Sequence, residues 1–268
     1  MNRSLRVAAT SPGIRLGEVA ANFRRIRESI TTAVGEGARL VVLPELATSG
    51  YVFADRAEAV RASVDRDDPA WDDLVSALPE GAVAVVGYAE RAGDRLYNSA
   101  AVLSRQGRIG DYRKSHLWGT EALFFDTGDS AGAVFESPVG RLAVAICYDS
   151  EFPEVPRRLA LAGAEILALP VNWPLVPRPA GERAPETIQA MAAARSSRLA
   201  TVISDRRGAE RGVEWTAGTA VIDEDGWIAA LPGEDGAAIA DLTLRPSSDK
   251  SLPPHNDLFR DRRPDLYL

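Results

Sequence analysis

Cysteine, histidine and lysine are all scarce: one, two and two residues in a chain of 268. Each shortage closes off a class of chemistry. A lone thiol cannot form an intramolecular disulfide, so the fold must rest on its packed core, and the composition suits a reducing compartment. Two isolated histidines, His116 and His255, and one cysteine cannot assemble a nitrogen/sulfur zinc site. A cysteine hydrolase activated by a downstream histidine has only His255 to draw on. That residue sits in a proline-rich tail before Asn256-Asp257, which is the wrong context. Basic charge is also short, with 31 Lys+Arg against 38 Asp+Glu and a net charge of −7. This argues against nucleic-acid binding, which uses a basic face. No apolar run approaches membrane-spanning length, and the first apolar stretch stops at Ser11-Pro12-Gly13, too soon for a signal peptide. The expectation is a cytoplasmic protein with no metal, no cofactor, no nucleic-acid partner and no membrane attachment.

What is present is enough apolar residue for a large core, 46% of the chain. Leu5 to Ala9 reads as a strand, and Val19, Phe23, Ile26 and Ile30 recur at helical spacing within Leu16 to Ala33. Arg39 to Leu43 is a buried-type strand stopped by Pro44. Short helices are predicted near Arg56 to Ser63 and Trp71 to Ala77. Strands follow at Ala82 to Tyr88, Leu96 to Ser104 and Arg108 to Tyr112. After a loop from Ser115 to Gly128, Leu142 to Ile146 is a fully apolar strand, and Pro153 opens a helix reaching about Leu161. Ile166 to Leu169, Thr201 to Ser204, Thr219 to Ile222 and Ala237 to Ala240 read as strands, and Pro185 to Leu199 as a helix. Strands alternating with helices, plus added hairpins and no linker, indicate one α/β layered domain over 1–268. Its tail, 252–268, is expected on a surface or against a partner.

Three polar residues stand at the ends of apolar strands: Glu45, Lys114 and Cys147. Strand C-termini are where α/β folds gather reactive groups. Together a thiol, an ammonium and a carboxylate divide one task. The ammonium lowers the thiol pKa and the thiolate attacks. The carboxylate moves protons while an acyl intermediate forms and breaks. Lys114 is one of only two lysines beside 29 arginines, a bias that fits a site needing a compact ammonium, whereas Lys250 in its polar stretch reads as chance. Taken singly, each residue has an ordinary explanation: an inert core cysteine, a solvated carboxylate, an exposed lysine.

Their surroundings point one way. Leu43-Pro44-Glu45-Leu46 with Gly50-Tyr51, Tyr112-Arg113-Lys114-Ser115-His116-Leu117, and Cys147-Tyr148-Asp149-Ser150-Glu151-Phe152-Pro153-Glu154 resemble, in this order, the three motifs of the nitrilase superfamily, the carbon–nitrogen hydrolases. Tyr97-Asn98-Ser99-Ala100 and Gly128-Asp129 also sit where that family has similar residues. The resemblance implies a four-layer αββα sandwich that forms a homodimer or larger homo-oligomer through its outer helices. It implies Glu45 as general base, Lys114 as oxyanion stabiliser, Cys147 as nucleophile, and Glu121 orienting the lysine or substrate. Tyr148 would lend its N–H to the oxyanion, and Tyr51, Asn172 and Trp173 would belong to the substrate pocket. The residues after Cys147 look more like the aliphatic amidases than the true nitrilases. The expected reaction is therefore hydrolysis of a small linear amide to acid and ammonia. An N-carbamoyl amide or a nitrile is the alternative, and an idle scaffold subunit a remote one.

Other features are set aside. Gly128-Asp129-Ser130-Ala131-Gly132 fits the serine-esterase pattern G-x-S-x-G, but lacks a secure strand before it and a helix after it. Glu151 and Glu154 are not expected to be catalytic, since Glu154 suits a helix first turn. Arg178, Glu182 and Arg183, in the loop after Trp173, are candidates for choosing a charged substrate end, with solvated loop charges as the plainer account.

Overall fold

Residues 2–267 are described by the structure, a computed structural model. Fifteen strands and five helices carry the architecture among these residues, in the order β1 (Arg3–Thr10), α1 (Val19–Gly35), β2 (Leu40–Val42), α2 (Arg56–Ala62), β3 (Val64–Asp65), α3 (Ala70–Ser76), β4 (Val83–Ala92), β5 (Arg95–Ser104), β6 (Gly107–Arg113), β7 (Ala133–Ser137), β8 (Gly140–Val144), α4 (Glu154–Leu161), β9 (Ile166–Pro170), α5 (Pro185–Ser197), β10 (Ala200–Ser204), β11 (Ala209–Glu210), β12 (Val213–Glu214), β13 (Ala220–Ile222), β14 (Ile228–Ala230) and β15 (Ala237–Leu244). Two mixed sheets form. One runs β15-β1-β2-β4-β5-β6, with β3 added beside β4; the other runs β14-β13-β10-β9-β8-β7. Each has three parallel strands at its centre, β1-β2-β4 and β8-β9-β10, and antiparallel strands outside them, apart from the short β3, which runs parallel to β4.

Period-two alternation decides the layering. Val7, Leu40, Val42, Val83 and Val85 point from the first sheet into a core shared with the second sheet. Their neighbours Ala8, Val41, Leu43, Ala84 and Val86 point the other way, onto Phe23, Ile26 and Ile30 of α1 and Trp71 and Leu74 of α3. Val155 and Leu159 of α4 and Ala190 and Ala194 of α5 cover the second sheet. The result is the four-layer αββα sandwich. Strands buried on both faces have no polar side, which is why they read as continuous apolar runs.

Differences from the sequence reading have local causes. Helix α1 begins at Val19 rather than Leu16, because the preceding turn is tied elsewhere: the Gly17 N–H donates to Ser49 O and Asn22 Nδ2 to Arg15 O and Thr48 O. Strand β7, which the sequence reading leaves without an element, pairs with β8 across a Pro138-Val139 turn. It is a half-buried edge strand with little alternation to betray it. Because Gly132 leads straight into β7, Ser130 has no helix behind it and no nucleophile elbow forms. Lys250, read as a chance lysine, is buried. Its Nζ donates to Arg198 O at 2.8 Å, at the left-handed C-cap of α5, and lies 5.4 Å from the Phe259 ring centre. The ammonium ties the tail to α5.

Candidate active site

Strand ends from both sheets converge on one buried cluster. Glu45 follows β2 after Leu43-Pro44, Lys114 follows β6 directly, and Cys147 follows β8 as the first residue of a 3₁₀ turn, Cys147–Glu151. Asn172, beyond β9, spans the two sheets by donating from Nδ2 to Glu45 O at 2.9 Å. Close approach needs a missing side chain: a Cβ on Gly87 of β4 would stand 2.3 Å from Pro44 O and 2.6 Å from Glu45 Cα. Cys147 has φ +47° and Leu46 φ +49°. Left-handed backbone at a residue other than glycine costs about 1 kcal/mol and is held only where the surroundings enforce it. One such position is Cys147 itself, and the other, Leu46, directly follows Glu45.

Lys114 is fully buried and donates from Nζ to Glu45 Oε1 at 2.7 Å and to Glu121 at 2.9 and 2.8 Å. Burial alone would discharge it, but Glu121 and Glu45 outweigh that and hold the ammonium charged, its pKa well above the ordinary lysine value. Glu121 is saturated, also accepting from Tyr51 Oη at 2.6 Å, Trp118 N at 2.9 Å and Asn98 Nδ2 at 3.3 Å. Glu45 is not. Its Oε1 takes Lys114 and, at 2.7 Å, Asn98 Nδ2, whereas its buried Oε2 has no partner within the described residues. Burial lifts the Glu45 carboxyl to about 7, against the pull of Lys114 and with a further push from Glu121. A carboxyl that titrates near neutrality, with one oxygen free, can take up a proton and give it back.

The thiol departs from expectation. Burial and the Glu45 charge push Cys147 up, and Lys114 only partly offsets them. With its charge shared between two carboxylates, the ammonium does not create a resting thiolate.

The Cys147 turn is fixed by Asp149, whose Oδ2 accepts from Ile146 N at 2.9 Å and Tyr112 Oη at 2.8 Å. Its Oδ1 accepts from His116 N at 3.1 Å and meets His116 Nδ1 at 2.7 Å. One buried carboxylate thereby ties the cysteine turn to the segment following Lys114, and its hydrogen bond to the ring, aided by its charge, raises the His116 pKa. Asp205, at the end of β10, does a similar job on the opposite wall. It accepts from Trp173 N at 3.0 Å, Gly218 N at 2.7 Å and Arg206 N at 2.8 Å.

Above Cys147 opens a cavity of about 130 Å³. Trp118, Tyr148, Trp173 and Pro174 form its walls, and Glu151 and Glu186 also line it. Of the residues predicted from sequence, Glu45, Lys114, Glu121 and Cys147 come together, and Tyr148 and Trp173 line the cavity. Tyr51 and Asn172 stand behind it: the Tyr51 hydroxyl serves Glu121, and Asn172 O lies 4.0 Å from Cys147 Sγ. Arg178, Glu182 and Arg183 border a separate depression with Arg195 and Trp227. Sequence reasoning assigned no role to Asn98, Asp149, Asp205 or Glu186. Asp205 was recoverable, because it too follows an apolar strand, and Asn98 is a lone amide inside one.

Comparison with known proteins gives the family and the fold. The family model described as Carbon-nitrogen hydrolase matches residues 6–248. A protein named nitrilase from Pyrococcus abyssi is 34% identical, covering 98% of this chain and 99% of its own. An (R)-stereoselective amidase from Pseudomonas sp. is 32% identical over 93% of this chain and 88% of its own, and an N-carbamoylputrescine amidase from Arabidopsis thaliana is 32% identical over the same shares. Among solved structures, an amidase from Nesterenkonia sp. superposes with a TM-score of 0.81 at 24% identity, over 98% of this chain and 94% of that one, a likeness of fold.

Proposed function

Since the chain belongs to the carbon–nitrogen hydrolase family, we propose that it hydrolyses a small linear carboxamide to the acid and ammonia through a thioester on Cys147. The free Oε2 of Glu45, on a carboxyl poised near neutrality beside Cys147 and Lys114, carries this reading. Cys147 Sγ attacks the amide carbon as Glu45 accepts the thiol proton, forming the S–C bond. The oxyanion is stabilised by the Lys114 ammonium and the Tyr148 N–H. As the C–N bond breaks, Glu45 delivers its proton to the departing nitrogen and ammonia leaves. Water then loses a proton to Glu45 and adds to the thioester; collapse expels the sulfur, which regains that proton. Glu121 keeps Lys114 aimed and charged, with Tyr51 and Trp118 N–H keeping Glu121 in place.

N-carbamoyl amides and nitriles are the competing substrates, because relatives 32% and 34% identical bear the names N-carbamoylputrescine amidase and nitrilase. The same three groups serve all three reactions. The test is ammonia release by the purified protein across amides, N-carbamoyl compounds and nitriles, with the acyl-enzyme trapped by mass. Full activity in Cys147→Ala overturns the mechanism, and carbon dioxide release from carbamoyl substrates alone moves the assignment to that class. A homodimer or larger homo-oligomer, joined through the outer helices and acting in the cytoplasm, belongs to the same proposal; sedimentation tests its assembly. No helix of the described residues is long and apolar enough to cross a membrane.

A further inference from the structure

The cavity over Cys147 has an uneven charge. Glu151, at the end of the cysteine turn, and Glu186, in the first turn of α5, both line it, and no arginine, lysine or histidine does. Among the described residues neither carboxylate makes an ion pair. Glu186 Oε2 is buried with no hydrogen-bond partner. The helix first turn accounts for a negative charge at Glu186, but not for a buried, unsatisfied oxygen on a residue that lines the cavity. Glu151 stands exposed at the rim, where partial desolvation and the Glu186 charge raise its carboxyl, so the two feel one another. Beside them Trp118 is 45% exposed, with Tyr148 packed edge-on at 4.9 Å between ring centres. Two uncompensated carboxylates next to aromatic faces are complementary to a cation and repel an anion.

We propose that Glu151 and Glu186 seat a protonated amine, so that the preferred substrate is a short linear amide bearing an ammonium at the end away from the scissile bond. This rests on the hydrolase reading above in that the scissile carbonyl lies at Cys147. The preference comes from the cysteine turn and the start of α5, not from the loop charges Arg178, Glu182 and Arg183, which border another depression.

Three compounds of nearly equal shape separate the cases: 4-aminobutyramide, valeramide and succinamate. For the intact protein kcat/KM should favour the ammonium compound over the neutral one by about tenfold or more, with succinamate the poorest. The advantage should shrink as salt rises. In Glu151→Gln and Glu186→Gln the ratio of ammonium to neutral substrate should fall, and in the double variant approach one. Glu182→Gln should leave the ratio unchanged. The same ratio is read as binding affinity in Cys147→Ala by calorimetry, so the charge preference is decided whether or not any amide is cleaved. Equal affinity for ammonium and neutral compounds, or a preference that survives the double substitution, overturns the proposal. Absence of hydrolysis with an intact binding preference would instead count against the hydrolase reading alone.

Discussion

Glu45 is held by two donors on one oxygen and by none on the other, and that asymmetry sets its expected behaviour. If Glu45 must be ionised to accept the thiol proton, kcat/KM rises with pH through about 7, the value to which burial lifts it, and is low below that point. Glu45→Gln should lower kcat by roughly 10²–10⁴-fold, the usual worth of a positioned acid–base group, and abolish that rise. Stopped assays across pH 5 to 9 (about the range in which such a carboxyl titrates) check both. Unchanged pH dependence in the variant would show that another group moves the proton. Asp149 presents the opposite case, a buried carboxylate using both oxygens. Asp149→Asn replaces one acceptor oxygen by a donor facing other donors, and hydrogen bonds to a charged group are worth about 1.5–3 kcal/mol. The expected outcome is about 2 kcal/mol lost in denaturant unfolding, together with a kcat deficit from a loosened cysteine turn. The Asn98 amide was legible only as a motif member; its double duty between Glu45 and Glu121 is a matter of distances between strands and loops far apart in sequence.

At the level of elements, strands were the easiest features to read and loops the hardest. Strands β2, β4, β8 and β9 are apolar on both sides because both faces are covered, and no other local structure accounts for such runs so briefly punctuated. Edge strand β7 is half-buried and carries no such signal. The Glu45 loop depends on a feature of another element: Gly87 of β4 leaves the space into which Pro44 and Glu45 settle. Gly87→Ala forces that loop outward or bends β4. Overpacking of this kind costs about 1–3 kcal/mol. Displacing a reactive group by about 1 Å costs on the order of 10²-fold in rate. Thermal unfolding and single-turnover kinetics should therefore show a modest loss of stability beside a larger loss of activity. Equal, small losses in both would mean that β4 yields without moving Glu45.

For the whole molecule, the buried acids leave a mark on stability. Glu45 and Asp205 are both raised to about 7, chiefly by burial, from ordinary values of 4.5 and 3.8. A carboxyl whose pKa is higher folded than unfolded favours the folded state fully below the unfolded value. That contribution is lost as pH climbs to the folded value. Between about pH 4.5 and 7, these two groups make unfolding release protons. Each group's contribution to stability then falls by at most about 1.4 kcal/mol for every pH step of one. Carboxylates with lowered pKa nearer the surface, such as half-buried Glu58 and exposed Asp65, act in the opposite sense at more acid pH and with solvent screening. The unfolding free energy should accordingly decline from about pH 5.5 to pH 7.5. Asp205→Asn should flatten the slope. Denaturant titrations at several pH values measure it, and a slope unaltered by the substitution would mean that Asp205 is already ionised in the folded protein below pH 5.5, roughly.

The chain's order of residues, taken alone, was enough for the layered α/β class and to single out Glu45, Lys114, Cys147 and Glu121, which the fold then gathers into one cluster. Apolar periodicity is a local property, and each reactive residue sits in its own contiguous motif. Three things were decided only in space. Lys114 turned out to be shared between Glu45 and Glu121, so burial rather than the ammonium governs the thiol. Asp149 and Asp205 became the clasps of the two walls, because their partners come from segments that meet only when the sheets stack. The charges that border the cavity over Cys147 are Glu151 and Glu186 and not those of the loop after Trp173, since facing a cavity is set by how α5 packs on the cysteine turn. Residue chemistry is written locally; desolvation, shared hydrogen bonds and the direction a side chain faces depend on neighbours that the fold alone brings near.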